Sequence, residues 1–285
     1  MADTNLAAIN DLLPTIIANA VEHFETTPSA VNLIENYVAS GNTLQIPTWD
    51  DTINVYAMTE GVPMGTAQQM TTGNATITCA KYGGKVRVTD EALKDAQNTG
   101  RVENLTARAG RELSMKLLKQ ANSLVTGLFS GFSLGSGSGS GTTLTPALMM
   151  AAATTVEAQG PLSRPFFVLH PWHIYHYKLD ANYRATYPLN PAAAAGQVGS
   201  WLSQVDDYNG YPVYKDGTLA IASSAAYGAC LTREALAIGI SWSPAESTEV
   251  TRVEATGYDV AATIRCGVIE VKDLGGFYLN YKATA

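Results

Sequence analysis

Three of the chain's four histidines fall within one heptapeptide, His170-Pro171-Trp172-His173-Ile174-Tyr175-His176. On a helix, His173 and His176 share a face and Asp180 lies one turn further on, the donor types and spacing of half a zinc site. The other half is missing. There is no H-E-x-x-H, and the fourth histidine, His23, is far away in the N-terminal segment. Proline in a first helical turn beside histidine reads more simply as a helix start and packing, so no metal ligand is expected. Cys79, Cys230 and Cys266 are odd in number and scattered, which fits reduced thiols in a cytosolic product rather than a disulfide framework or a zinc site.

Nucleophiles fare no better. Ser136, Ser138 and Ser140 alternate with glycine in the run from Ser133 to Thr143. The composition predicts a flexible linker, and a flexible chain cannot hold a nucleophile in reactive geometry. No G-x-S-x-G elbow, G-x-x-x-x-G-K-[ST] phosphate loop or strand-linked G-x-G-x-x-G is present. The acid pairs Asp50-Asp51 and Asp206-Asp207 read as solvated turns. Neither a catalytic residue nor a cofactor is expected. A basic group, Arg101, Arg108, Arg111, Lys116 and Lys119, stands against Glu103 and Glu112 in one segment. Arg108, Glu112 and Lys116 are i,i+4 neighbours, so a solvated face or contacts to a neighbouring subunit fit better than a stripe that grips DNA.

These groups must be positioned by elements that the pattern places in order. Apolar residues at helical spacing run through residues 3–24, with Pro14 breaking the helix in two. Residues 41–89 turn to strand and loop chemistry: 44–47 and 53–58 are short strands, 59–74 is a loop, and alternation returns at 76–79 and 85–88 around Gly83-Gly84. The whole reads as a long hairpin that lacks a core of its own. Thr89 caps a short helix with Asp90 and Glu91 in its first turn.

From residue 102 to about 130, Leu105, Ala109, Leu113, Leu117, Ala121, Val125 and Leu128 form a stripe on a helix of about 43 Å, longer than a compact domain of this size needs. After the linker, Thr145-Pro146 opens a helix that Gly160 closes. Residues 166–169 form a buried strand, and a second helix runs from 171 to about 183. Strands at 201–205 and 211–214 flank Asn209-Gly210, the strongest hairpin signal in the chain. Alternation marks strands at 246–255, 258–266 and 277–282. Strands on both sides of the long helix imply one sheet built from distant segments, with the middle of the chain inserted as a second domain: an α+β layout.

The 285 residues are 46% hydrophobic and only 15% charged, well under the charge usual for soluble domains. Burial of surface against other copies would account for that balance. The net charge of −7 lacks the positive footprint of a nucleic-acid reader, which disfavours a DNA-reading protein but leaves a DNA container open. No apolar run approaches a bilayer span, and residues 1–4 show no secretory leader, so neither a membrane location nor export is expected.

Three stretches carry a resemblance. They are Lys81-Tyr82-Gly83-Gly84-Lys85-Val86-Arg87-Val88-Thr89-Asp90-Glu91-Ala92-Leu93, then Tyr208-Asn209-Gly210-Tyr211-Pro212-Val213, then Thr256-Gly257-Tyr258-Asp259-Val260-Ala261-Ala262-Thr263-Ile264-Arg265. With the order of parts over nearly the whole chain, this resembles the Hong Kong 97-type major capsid proteins of tailed phages. The resemblance implies an N-terminal arm (1–40), an extended loop with flanking strands (41–88), and a peripheral domain with a spine helix and Gly/Ser linker (89–143). An axial domain (144–240) and closing peripheral strands (241–285) follow.

It further implies self-assembly as hexamers and pentamers into an icosahedral head around double-stranded DNA, in a virion assembled in the bacterial cytoplasm. DNA contacts would be weak and non-specific, and a portal and a possible decoration protein would be partners. The long scaffolding segment of some relatives has no counterpart, so a separate scaffolding protein is expected. At segment level, assembly contacts are expected at Glu60, Gly61, Met64, Gln68, Gln69, Arg101, Arg108 and Arg111. Two other readings are kept: an encapsulin-type shell around a cargo protein, and a histidine-metal hydrolase.

Overall fold

The computed structural model describes residues 30–49, 60, 72–92, 102–137, 139–160, 163–180, 202–242, 249–253 and 257–284. The expected helices at 3–24 and the strand at 53–58 lie outside them. In chain order the strands are β1 (Glu35–Val38), β2 (Thr43–Trp49), β3 (Thr72–Thr78), β4 (Ala80–Thr89), β5 (Leu134–Ser136), β6 (Phe166–Leu169) and β7 (Leu202–Tyr208). Then come β8 (Tyr211–Asp216), β9 (Ile221–Ala222), β10 (Ala225–Leu231), β11 (Leu236–Trp242), β12 (Glu249–Val253), β13 (Gly257–Glu270) and β14 (Gly276–Lys282). The helices are α1 (Val102–Gly127), α2 (Pro146–Glu157) and α3 (Pro171–Leu179).

The long helix α1 follows its stripe. Ala109, Leu113, Leu117, Ala121 and Val125 are all buried. Ser114, Leu118 and Asn122, one position on, are buried too, which gives the apolar face the width a core-facing helix needs. The helix tightens into a 3-10 turn at Leu128–Gly131. Its buried face meets Val260, Ala262, Ile264 and Cys266 of β13, with Tyr82 and Val86 of β4 alongside. These belong to a five-stranded sheet ordered β1-β11-β13-β12, with β4 on the other side of β13. The pairing of β4 with β13 runs without a break from Cys266↔Ala80 to Gly257↔Thr89. Distant segments do build one sheet, as the alternation implied.

A second sheet, ordered β5-β14-β10-β6-β8-β7 with β9 beside β10, carries α2 and α3. Thr145 caps α2 and Pro146 opens it. Asn209 (φ 50°) and Gly210 (φ 88°) link β7 to β8 in a two-residue turn, the left-handed pair that a type I′ hairpin requires. The two sheets share a core around the end of α1, where Val125, Phe129 and Phe132 meet Phe166, Val168, Ala229 and Leu231.

Four expectations change. The Gly/Ser run is not a loose linker: β5 pairs in parallel with β14, Leu134↔Phe277 to Ser136↔Leu279, and Ser136 Oγ lies 2.8 Å from the Tyr281 hydroxyl. Its glycines are demanded by proximity rather than by flexibility. A Cβ on Gly135 would sit 2.1 Å from the Tyr278 ring, and one on Gly137 (φ +121°) 2.0 Å from the Asn280 carbonyl oxygen. The strand at 277–282 does not close the first sheet. It lies between β5 and β10 in the second, where Leu279 and Tyr281 complete the core under α2 and α3. The helix α3 stops at Leu179, and Asp180 is extended, so Asp180 does not continue the histidine face. Finally, β10 and β11, absent from the pattern reading, are central.

Gly137→Ala is expected to cost about 2–4 kcal/mol in urea unfolding, from the left-handed backbone and the clash together. Gly127→Ala is the control. Open space surrounds a Cβ there, so no loss is expected.

Candidate assembly surfaces

The three described histidines make packing and capping contacts. His170 caps α3, its Nδ1 accepting from the Trp172 amide at 3.2 Å. The Nε2–H of buried His173 donates to the Tyr281 carbonyl at 3.1 Å, and that of His176 to the Thr284 carbonyl at 2.9 Å. The pair staples the end of the chain to α3. Burial pushes the His173 imidazole down to about 4, so it is neutral at physiological pH. Among the described residues, no group of three metal-ligating side chains converges. The three cysteines are all buried, and desolvation raises each thiol, which makes them poor nucleophiles.

Of the expected contact residues, Arg108 and Arg111 are exposed on α1, and Glu60 is exposed in a turn. Gly61, Met64, Gln68, Gln69 and Arg101 lie outside the described residues. Arg108 and Glu112 of α1 line a cleft of about 280 Å3 together with Val86, Val88 and Ala109.

The sequence reading missed a larger feature. Residues of β4 and β13 alternate between α1 and the opposite face of the sheet. On that opposite face the register pairs Lys81 with Arg265, Lys85 with Ala261, and Arg87 with Asp259. The Asp259 carboxylate is 1% exposed and is held by Lys85 Nζ at 2.5 Å and Arg87 Nε at 2.7 Å. Arg87 and then Lys85, by hydrogen bonding to it, hold its carboxyl well below the usual carboxylate range. Both cations remain more than half exposed. Lys81 Nζ and Arg265 Cζ lie 5.6 and 5.0 Å from the Trp242 ring centre. Glu249 of β12 stands at the register position opposite Ala261.

The far half of this face is covered by the β2–β3 hairpin. Ile46, Ile77 and Cys79 pack on Ala237, and a Cβ on Gly267 would sit 2.2 Å from the Thr78 carbonyl oxygen. One half of the sheet face is thus covered by the chain's own hairpin. The other half presents four cations.

No protein-family model matches the chain, and no curated protein does. Solved structures do. The head structure of Helicobacter pylori bacteriophage KHP40 matches with a TM-score of 0.64 at 9% identity, over 88% of this chain and 87% of that one. The capsid of Ralstonia phage GP4 matches with a TM-score of 0.62 at 13% identity, over 89% and 88%. The holo-SrpI encapsulin complex from Synechococcus elongatus matches with a TM-score of 0.59 at 11% identity, over 90% and 88%. The chain has the Hong Kong 97 capsid fold.

Within this capsid fold, the cationic sheet face has a counterpart along the sequence. No Lys or Arg precedes Lys81, while Asp3, Asp11, Glu22, Glu25, Glu35, Asp50, Asp51 and Glu60 do. Residues 81–119 then hold nine Lys and Arg against five Asp and Glu. The charges are thus separated along the sequence, acidic before residue 81 and mainly basic from 81 to 119. That partition was legible in the sequence, but only the β4–β13 register shows which cations share a face. No helix among the described residues is long and apolar enough to cross a membrane.

Proposed function

We propose that this chain is the major capsid protein of a tailed phage, assembling as hexamers and pentamers into an icosahedral head around double-stranded DNA. The observation that carries the reading is the match to phage heads and capsids over nearly nine tenths of both chains. The virion is its location, reached by assembly in the host cytoplasm. The acidic stretch that includes Asp50, Asp51 and Glu60 lies over the cationic β4–β13 face of a neighbour, and Arg101, together with Arg108 and Arg111 of α1, makes a separate set of contacts. Gly61, Met64, Gln68 and Gln69 add contacts from the same stretch of sequence. A separate scaffolding protein sets shell size, a portal occupies one vertex, and a decoration protein is a further partner. The shell is a container without catalysis or cofactor.

The encapsulin match supports a second reading, a shell around a cargo protein. Particles purified from the producing cell and treated with nuclease separate the two. Protected double-stranded DNA is expected. A stoichiometric second protein and no DNA would favour the nanocompartment. A monomer with bound zinc would instead return the hydrolase. Correctly sized shells from this protein alone would count against a scaffolding partner.

A further inference from the structure

The cationic sheet face holds two sets of basic side chains that differ in what they are given to bind. Lys85 and Arg87 enclose a carboxylate that the chain itself supplies, the buried side chain of Asp259. Lys81 and Arg265 have no such anion. They are cross-strand partners, and Arg265 is paired in turn with Trp242, so the three form one row across β4, β13 and β11. Lys81 Nζ and Arg265 Cζ lie 5.6 and 5.0 Å from the same ring centre. The ring attracts each cation, but the two cations repel one another. Among the described residues neither meets a carboxylate, and the buried Trp242 Nε1–H has no acceptor. Against these donors and charges stands one long contact, from Arg265 Nε to the Cys79 carbonyl at 3.5 Å.

Beside the row there is room for an anion. The next row on this face is Gly83 opposite Thr263, and beyond it comes Lys85. Successive rows on one face of a sheet are about 7 Å apart. Exposed Gly83 has no side chain, so a low floor lies between Lys81 and Arg265 on one side and Lys85 on the other.

We propose that this row and floor form a carboxylate socket, filled by an acidic side chain from the 50–60 stretch of a neighbouring copy. The socket rests on the reading of this chain as a capsid subunit. Asp259 shows the same chemistry within the chain, one carboxylate between two cations of β4. Charge selects the occupant: residues 1–80 contain eight Asp and Glu and no Lys or Arg, and Asp50, Asp51 and Glu60 follow β2. Reach makes it another copy's. β3 leads through Cys79 into β4, while Trp49 at the end of β2 pairs with Thr72 at the start of β3. The strand from Thr72 to Cys79 covers roughly 23 Å. The chain therefore enters the acidic stretch at the end of the hairpin remote from its own socket.

Iodide tests the socket, because it is an anion that quenches indole fluorescence on contact, whereas neutral acrylamide reports exposure alone. The Trp242 signal is the difference between each protein and its Trp242→Phe counterpart, at an ionic strength held constant with chloride. In dilute, unassembled subunits, iodide is expected to quench Trp242 several-fold more strongly, relative to acrylamide, than in the Lys81→Gln/Arg265→Gln double variant. In assembled shells that excess is expected to vanish, since the neighbour's carboxylate takes the place of iodide. A peptide of residues 50–62 added to free subunits is expected to displace iodide likewise. The same peptide with Asp50→Asn, Asp51→Asn and Glu60→Gln is expected to leave it in place. An equal response of wild type and the double variant would overturn the socket, as would a peptide effect that ignores the three substitutions. Shells in which iodide reaches Trp242 as freely as in subunits would overturn its filling by a neighbour and leave the capsid reading intact. A chain that forms no shells would count against the capsid reading, and the subunit and peptide measurements would still decide the socket.

Discussion

Asn122→Ala is expected to remove about 3–5 kcal/mol of stability, a large share of what a domain usually holds. The side chain is fully buried on the inner face of α1, near its C-terminal end. Its Oδ1 accepts from the Ala30 amide at 2.7 Å, and its Nδ2 donates to Asp216 Oδ2 at 2.8 Å and Thr218 Oγ1 at 2.6 Å. One amide thus ties the long helix to the segment leading into β1 and to the end of β8. Ala30 and Asp216 are themselves almost completely buried, so truncation leaves an orphaned N–H and one lost partner of a buried carboxylate. Among the described residues, Asp216 then keeps hydrogen bonds from the Thr218 amide and hydroxyl, both at 2.7 Å. Asn122→Asp should be at least as damaging, since it sets a second carboxylate against Asp216. Urea unfolding followed by circular dichroism measures both. A loss under about 1 kcal/mol for Asn122→Ala would mean the three partners find substitutes.

Asn122 also shows where reading a sequence stops. In the sequence it is a polar residue beside an apolar stripe, and nothing local reveals that it faces the core. The stripe itself was legible because period and burial coincide over a long helix. The Asn209-Gly210 turn and the Thr145-Pro146 start were legible because each depends on a backbone conformation that few residues supply. Strand membership was not. Alternation identifies 277–282 as a strand without naming its neighbours, and its partners β5 and β10 are remote in sequence. The strand β10, Ala-Ala-Tyr-Gly-Ala-Cys-Leu, escaped because it is buried on both faces and so does not alternate. Small residues there read as neutral composition. In the fold they let elements close up: a Cβ on Gly228 would lie 2.9 Å from Leu169 Cδ2. The Gly/Ser run misled for the same reason, since glycine serves close approach as readily as freedom. At the candidate surface, Arg108 and Arg111 were visible as helix charges. Lys81, Lys85 and Arg87 were visible only as alternating residues, because Asp259 and Arg265 come more than 170 positions later.

Those cations set the second large effect. Reversing Lys81 and Arg265 to Glu is expected to abolish shells while leaving the subunit folded, and Asp50→Lys with Asp51→Lys in the same chain is expected to restore them. Lys85 and Arg87 are unsuitable for this test, because they neutralise buried Asp259 and their loss would strike the fold itself. Lys81 and Arg265 carry no such duty. Their described partner is the Trp242 ring, with a long contact from Arg265 Nε to the Cys79 carbonyl at 3.5 Å. Losing them from the ring costs the subunit about 0.5–1 kcal/mol each. An exposed ion pair contributes about 0.2–1 kcal/mol, and reversal replaces attraction with repulsion, so two reversals weaken each subunit contact by roughly 1–3 kcal/mol. That corresponds to roughly a ten- to hundredfold weaker contact, repeated at every neighbour of a closed shell. Negative-stain microscopy and sedimentation read the particles, and circular dichroism confirms that the subunits remain folded. If the reversed chain still forms shells, the sheet face is not a contact. If it forms none and the acidic-loop reversal does not bring them back, the face binds some other part of the neighbour.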